Sequence, residues 1–183
     1  QFILTGSAVP VESGKIMHTG TGRFAWITMR PMSLWESEES TGDVSLQALF
    51  DGDLAIQGEN KHRLEDIAFM LCRGGWPSAL GRSTRAALRV ASDYYDAVIK
   101  TDFVRVDNTL RNQNRSRMLL RSLARLQGTQ TSIGVIRQDM LSNDDNTLAE
   151  NTVASYIEAL RKIFIVEDMP AWSTNLRSKT VIR

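Results

Sequence analysis

Among 183 residues there is one cysteine, Cys72, and there are two histidines, His18 and His62. A single thiol cannot close an internal disulfide, which suits a reducing compartment. So few soft ligands leave no spacing for zinc, and no metal site is expected. Also lacking are a charged-then-apolar leader and any run near the ~20 apolar residues of a membrane span, so a cytosolic location is expected. Charge of one sign is not in excess: 22 Lys and Arg face 21 Asp and Glu, for a net +1. Nothing global therefore favours nucleic acid, an anionic membrane or an acidic substrate, and a charge-based function has to rest on local clustering. The phosphate-cradling Gly-x-x-x-x-Gly-Lys-Ser/Thr loop is missing, because Gly14-Lys15 has no glycine five positions earlier and no Ser or Thr after it. Gly6-Ser7-Ala8 likewise lacks the second glycine of a nucleophile elbow.

What is present is an ordinary globular composition, 42% hydrophobic and 23% charged, enough for one or two compact units. Cys72 ends the apolar run Ile67-Ala68-Phe69-Met70-Leu71-Cys72 and is expected to be buried. Gln1 to Ser7 opens in the middle of a strand-like run and Lys179 to Arg183 stops inside another, which suggests a piece of something longer.

Strands are predicted for Phe2 to Leu4 and Phe24 to Met29, separated by a loop rich in glycine and closed by Pro31. Ser33-Leu34-Trp35-Glu36 is a Ser-x-x-Glu capping box, so a helical turn should begin there, with a second start at Ser45 to Phe50 before Asp51-Gly52. From Glu59 to Cys72 the positions Leu64, Ile67, Ala68 and Leu71 recur at three and four, predicting a helix that buries them and ends at Gly74-Gly75. After Trp76-Pro77, which cannot continue a helix, the next runs from about Ser83 to Val104, with Ala87, Leu88, Ala91, Tyr94, Tyr95, Val98 and Ile99 on its buried side. Beyond the polar run Asp107 to Asn114 come helices at Ser116 to Gln127, Ser132 to Met140 and Ala149 to Ile163, then strands at Phe164 to Glu167 and Lys179 to Ile182. That is the order of a winged helix-turn-helix.

Five segments stand in a recognisable order: Leu4-Thr5-Gly6-Ser7, His18 to Arg23, Met29-Arg30-Pro31-Met32-Ser33, Gly74-Gly75-Trp76-Pro77, and Ala171-Trp172 to Arg177-Ser178. In this register the chain resembles the AAA+-type bacterial and archaeal P-loop ATPases that carry a C-terminal winged helix and a further uncharacterised domain. The resemblance implies a mixed α/β, mostly helical chain: the end of an ATPase core over 1–37, a helical lid over 38–108 and a winged helix over 109–183. It also implies ATP and Mg²⁺ as ligands of the whole protein, with the phosphate and magnesium motifs supplied upstream and this piece inactive alone. Thr5 and Ser7 match the first sensor, where a hydroxyl that donates and accepts can orient an attacking water. Arg23 would stabilise phosphoryl charge in its own or a neighbouring subunit, and Gly75, Trp76 and Pro77 would pack on the base. A salt-bridged surface arginine, a turn after a strand and a helix C-cap are the plain structural alternatives for these three groups.

The rival expectation is a DNA-binding regulatory module. Arg117, Arg121 and Arg125 repeat at four, opposite Leu119, Leu123 and Leu126, and could meet phosphates. Against this, the third helix should expose Glu150, Asn151, Ser155, Glu158, Arg161 and Lys162, a mixed face. The partners expected are the missing N-terminal part and a homo-oligomer, with DNA less favoured and no membrane. Trp172 beside Pro170 serves either as a protein contact or as an anchor under the wing.

Overall fold

A computed structural model describes Ile3, Ala25, residues 27–54, 56–103, Val106, 111–141 and 148–169. These fall into two compact units, one within Gly20–Asp96 and one that joins Gln1–Thr19 to Ala97–Arg183. Every regular element among the described residues is helical. The mostly helical character is as expected, but no strand of the expected α/β beginning is found among the described residues: Ile27 to Met29 belong to none, and Ile27 and Met29 are 91% and 85% exposed. A strand exists only as a ladder with a neighbour, and no described segment supplies one. The expected strand at Phe164 to Glu167 is likewise absent, while those at Phe2 to Leu4 and Lys179 to Ile182 fall almost wholly outside the described residues.

In the first unit the capping box at Ser33 forms as the sequence implies. Glu36 accepts from the Ser33 backbone at 2.8 Å, the Ser33 hydroxyl accepts from the Glu36 backbone at 3.3 Å, and the chain makes one turn over 34–38. Helix α1, Leu46–Phe50, starts on Ser45, whose hydroxyl accepts from the Ala48 N–H at 3.2 Å; it buries no residue. Helix α2, Leu64–Arg73, is acidic in its first turn and ends on Gly74, whose φ of 70° is the left-handed geometry that glycine adopts without strain. A short 3₁₀ turn, Pro77–Ala79, leads to helix α3, Thr84–Ala97.

The faces of α2 and α3 correct the sequence reading. On α2 the buried residues are Met70 and Arg73, whereas Leu64 and Leu71 are each 78% exposed, Ile67 and Ala68 are exposed, and so is Cys72. Periodicity located the apolar ridge correctly but not the neighbours, and the packed face is the one carrying Arg73. On α3, Ala87 is buried and Leu88 and Ala91 are half-buried, and Val98 and Ile99 just past its end are buried as expected, but Tyr94 and Tyr95 are exposed. After Ala97 the α-helix gives way to π-helical geometry, so helical backbone covers most of the expected span.

In the second unit the described residues form a π-turn, Val98–Asp102, and three helices: α4 (Gln113–Arg125), α5 (Ile133–Leu141) and α6 (Glu150–Lys162). These agree with the predicted helices to within three residues. Their core contains Val98, Phe103, Leu119, Ile136, Met140, Leu148, Val153, Tyr156, Ile157 and Leu160. Asn112 caps α4 by accepting from the Arg115 N–H at 3.1 Å, and the Tyr156 hydroxyl accepts from the Asn112 N–H at 2.9 Å, tying the start of α4 to α6. Buried Ser116 and Ser122 lie on the α4 core face, and Ser122 reaches the Ile136 carbonyl of α5 at 3.4 Å. Arg111 is buried, with its guanidinium over the rings of Phe103 and Tyr156 and a bond to the Phe103 carbonyl at 3.0 Å.

Candidate functional site

The densest polar arrangement in the first unit fastens the segment Pro31 to Ser40 onto both ends of α2. At the C-terminal end, the Met32 N–H donates to the Gly75 carbonyl at 2.8 Å. The approach is so close that a Cβ on Gly75 would lie 2.3 Å from the Met32 carbonyl oxygen and 3.0 Å from the Pro31 Cβ. Glycine at 75 is therefore explained by backbone contact. Just before it, Arg73 holds Glu39 with both arms of its guanidinium, Nη1 to Oε1 at 2.6 Å and Nη2 to Oε2 at 2.7 Å, and its Nε donates to the Gly74 carbonyl at 3.1 Å. Only 6% of the Arg73 side chain and 20% of that of Glu39 remain exposed.

This pairing sets the charge states. The Arg73 hydrogen bonds hold the Glu39 carboxyl below its ordinary range against the opposing effect of burial, with help from the Ser37 hydroxyl at 2.7 Å; Glu39 in turn raises Arg73 further. At the other end of α2, a ring nitrogen of His62 meets the Glu39 carbonyl at 2.7 Å, and Asp66 accepts from the Arg63 N–H at 2.9 Å. Between these attachments lies an open groove of about 780 Å³, with Leu34, Ile67, Met70 and Leu71 as its apolar side.

Trp76 is half-buried, its ring 4.3 Å from that of Tyr94 and tilted by 49°, and exposed Pro77 opens the 3₁₀ turn. Gly75, Trp76 and Pro77 thus have structural employment, while Trp76 remains partly and Pro77 largely accessible to solvent. Thr5, Ser7, Arg23 and Trp172 lie outside the described residues. Among the described residues no group of three or more His, Cys, Asp or Glu is placed to hold a metal ion, and no helix is long and apolar enough to cross a membrane.

The arginine stripe of α4 is on the outer face, opposite buried Leu119 and half-buried Leu123 and Leu126. Its three members differ, however. Arg121 is exposed, Arg117 is half-buried, and Arg125 is committed to an ion pair with Asp139 of α5, whose carboxyl is held low by Arg125 and by Ser122. That pairing was not legible because Asp139 is 14 residues away on another helix. On α6, Glu150, Asn151, Ser155, Glu158 and Arg161 are exposed as expected and Lys162 is half-buried; Arg161 bonds both Glu158 at 3.3 Å and Asp168 at 2.5 Å.

The signals that sequence reasoning missed are Glu39 and Arg73, 34 residues apart in chain order. A lone Arg at a helix end usually reads as a dipole partner, and nothing local announces a buried bidentate pair.

No curated protein matches the chain, and no solved structure does. A family model does match, over residues 64–183, from the first residue of α2 and so including Arg73, Gly75 to Pro77 and the α4 arginines. The chain belongs to the family described as Domain of unknown function (DUF8612).

Proposed function

We propose that this chain is the lid and following helical domain of an AAA+-type P-loop ATPase, in which ATP binding and hydrolysis drive movement of the helical part. One observation carries the reading beyond motif order. Met29 to Ser33 and Gly74 to Pro77, two of the five segments on which the resemblance rests, meet in space through the Met32 to Gly75 hydrogen bond at 2.8 Å. A core segment bonded to the turn that would face the base is the contact such an enzyme needs to pass nucleotide state to its lid. The described residues do not themselves make a phosphate or Mg²⁺ site. Those groups would come from a segment bearing the missing phosphate loop, with Thr5, Ser7 and Arg23 completing the site and Trp76 and Pro77 contacting the base.

The DNA alternative has weaker support. Arg125 is spent on Asp139, and the outer face of α6 mixes acids with an arginine already held by two carboxylates. A winged helix remains part of the proposal through its three helices alone. Trp76→Ala in a longer polypeptide containing the phosphate loop is the site-level test. A weaker affinity for ATP supports base contact, and an unchanged affinity removes Trp76 from the site.

A further inference from the structure

Arg73 and Glu39 form an ion pair that is nearly closed to solvent in a unit whose only buried apolar side chains, among the described residues, are Met70, Ala79 and Ala87. A desolvated pair is a poor source of net stability, since the attraction roughly repays the loss of hydration. What it supplies is geometry, because a bidentate guanidinium fixes both distance and orientation. Here it fixes the segment 31–40 to the end of α2, two residues before Gly75 takes the Met32 N–H. His62 adds the attachment at the start of α2. With three ties, the segment and the helix have to move together.

We propose that Arg73 and Glu39 are the positioning pair that transmits nucleotide state from the Met29 to Ser33 segment to α2; this rests on the ATPase reading. Neither residue touches nucleotide. Their role is to remove slack, so that a shift at Met32 arrives at α2 as a shift of the whole helix. The Met32 to Gly75 bond alone is a single pivot about which the segment could swing; Glu39 bound to Arg73 supplies the second point that blocks the swing.

The experiment uses the longer polypeptide that carries the phosphate loop, with Glu39→Gln, Arg73→Lys, and the swapped pair Glu39→Arg with Arg73→Glu. Affinity for ATP and turnover are measured separately. The expected result is affinity within about twofold of wild type and turnover reduced about tenfold in each single variant, within the usual range for coupling between sites. The swap recovers most of the turnover. Unchanged turnover in both single variants overturns the coupling role while leaving the ATPase reading intact, as does joint loss of affinity and turnover that the swap fails to rescue. Absence of ATP binding by the wild-type polypeptide sinks the ATPase reading, and the coupling role with it.

Discussion

Gly75→Ala is the sharpest perturbation the geometry offers. The added methyl would sit 2.3 Å from the Met32 carbonyl oxygen and 2.8 Å from its nitrogen, both of them backbone atoms that cannot rotate away. Either the 31–33 segment withdraws and the Met32 N–H loses its acceptor, or both strands of chain distort around the methyl. Losing the bond costs about 0.5–1.5 kcal/mol, and relieving an overpacked contact adds roughly 1–3 kcal/mol. Against this stands the gain of about 0.4–1 kcal/mol from a less flexible unfolded chain. The net expectation is a loss of about 0.5–4 kcal/mol. Gly58→Ala is the matched control, because its nearest atom, the Asp43 Cβ, is at an ordinary 3.4 Å and only the entropic gain applies. Amide hydrogen exchange at Met32 reads the effect locally, and urea unfolding reads it globally. If Gly75→Ala leaves Met32 exchange and the urea midpoint unchanged while Gly58→Ala behaves as stated, the close approach of the two segments is refuted.

Three further outcomes are expected. Because Arg73 holds the Glu39 carboxyl below its ordinary value of 4.5, the stability it contributes is full above that value. That contribution fades as pH falls through the lowered folded-state value, so an acid titration followed by Met32 exchange should show this loss and Glu39→Gln should abolish it. Replacing exposed Leu64 and Leu71 with Ser should change the thermal midpoint little, within about 0.5 kcal/mol, whereas Leu160→Ala, at 0% exposure, should cost about 2–5 kcal/mol. Phe164 closes α6 with a φ of 60° while 61% exposed, its N–H on the Arg161 carbonyl at 3.0 Å and the Ile165 N–H on Leu160 at 2.9 Å. Glycine is the residue this helix end favours, so Phe164→Gly should stabilise the second unit by about 1 kcal/mol in the same melts.

Local chemistry was legible from sequence, and long-range choice was not. The Ser33/Glu36 box, the Ser45 cap, the Gly74 stop and the three C-terminal helices each depend on residues within a turn or two of one another, so their patterns survive folding. Which face of α2 is covered depends on the segment 31–40, which brings Glu39 to Arg73 and leaves Leu64 and Leu71 outside. Cys72 follows its neighbour Leu71 into solvent for the same reason. Strand periodicity at Phe24 to Met29 is a statement about partners, and no described segment lies alongside to honour it. Of the candidate site, Gly75 and Trp76 had been singled out by motif order and are placed next to the ion pair, which itself has no signature in sequence.

ATP turnover by this chain and by a longer polypeptide containing it together with a phosphate loop is the most direct test of the proposed function. Turnover by the longer polypeptide alone, slowed by Arg23→Ala, is the expected result. A longer polypeptide that ignores ATP, while this chain retains duplex DNA in a salt-dependent way, would contradict the ATPase and leave Arg117 and Arg121 as the residues to pursue.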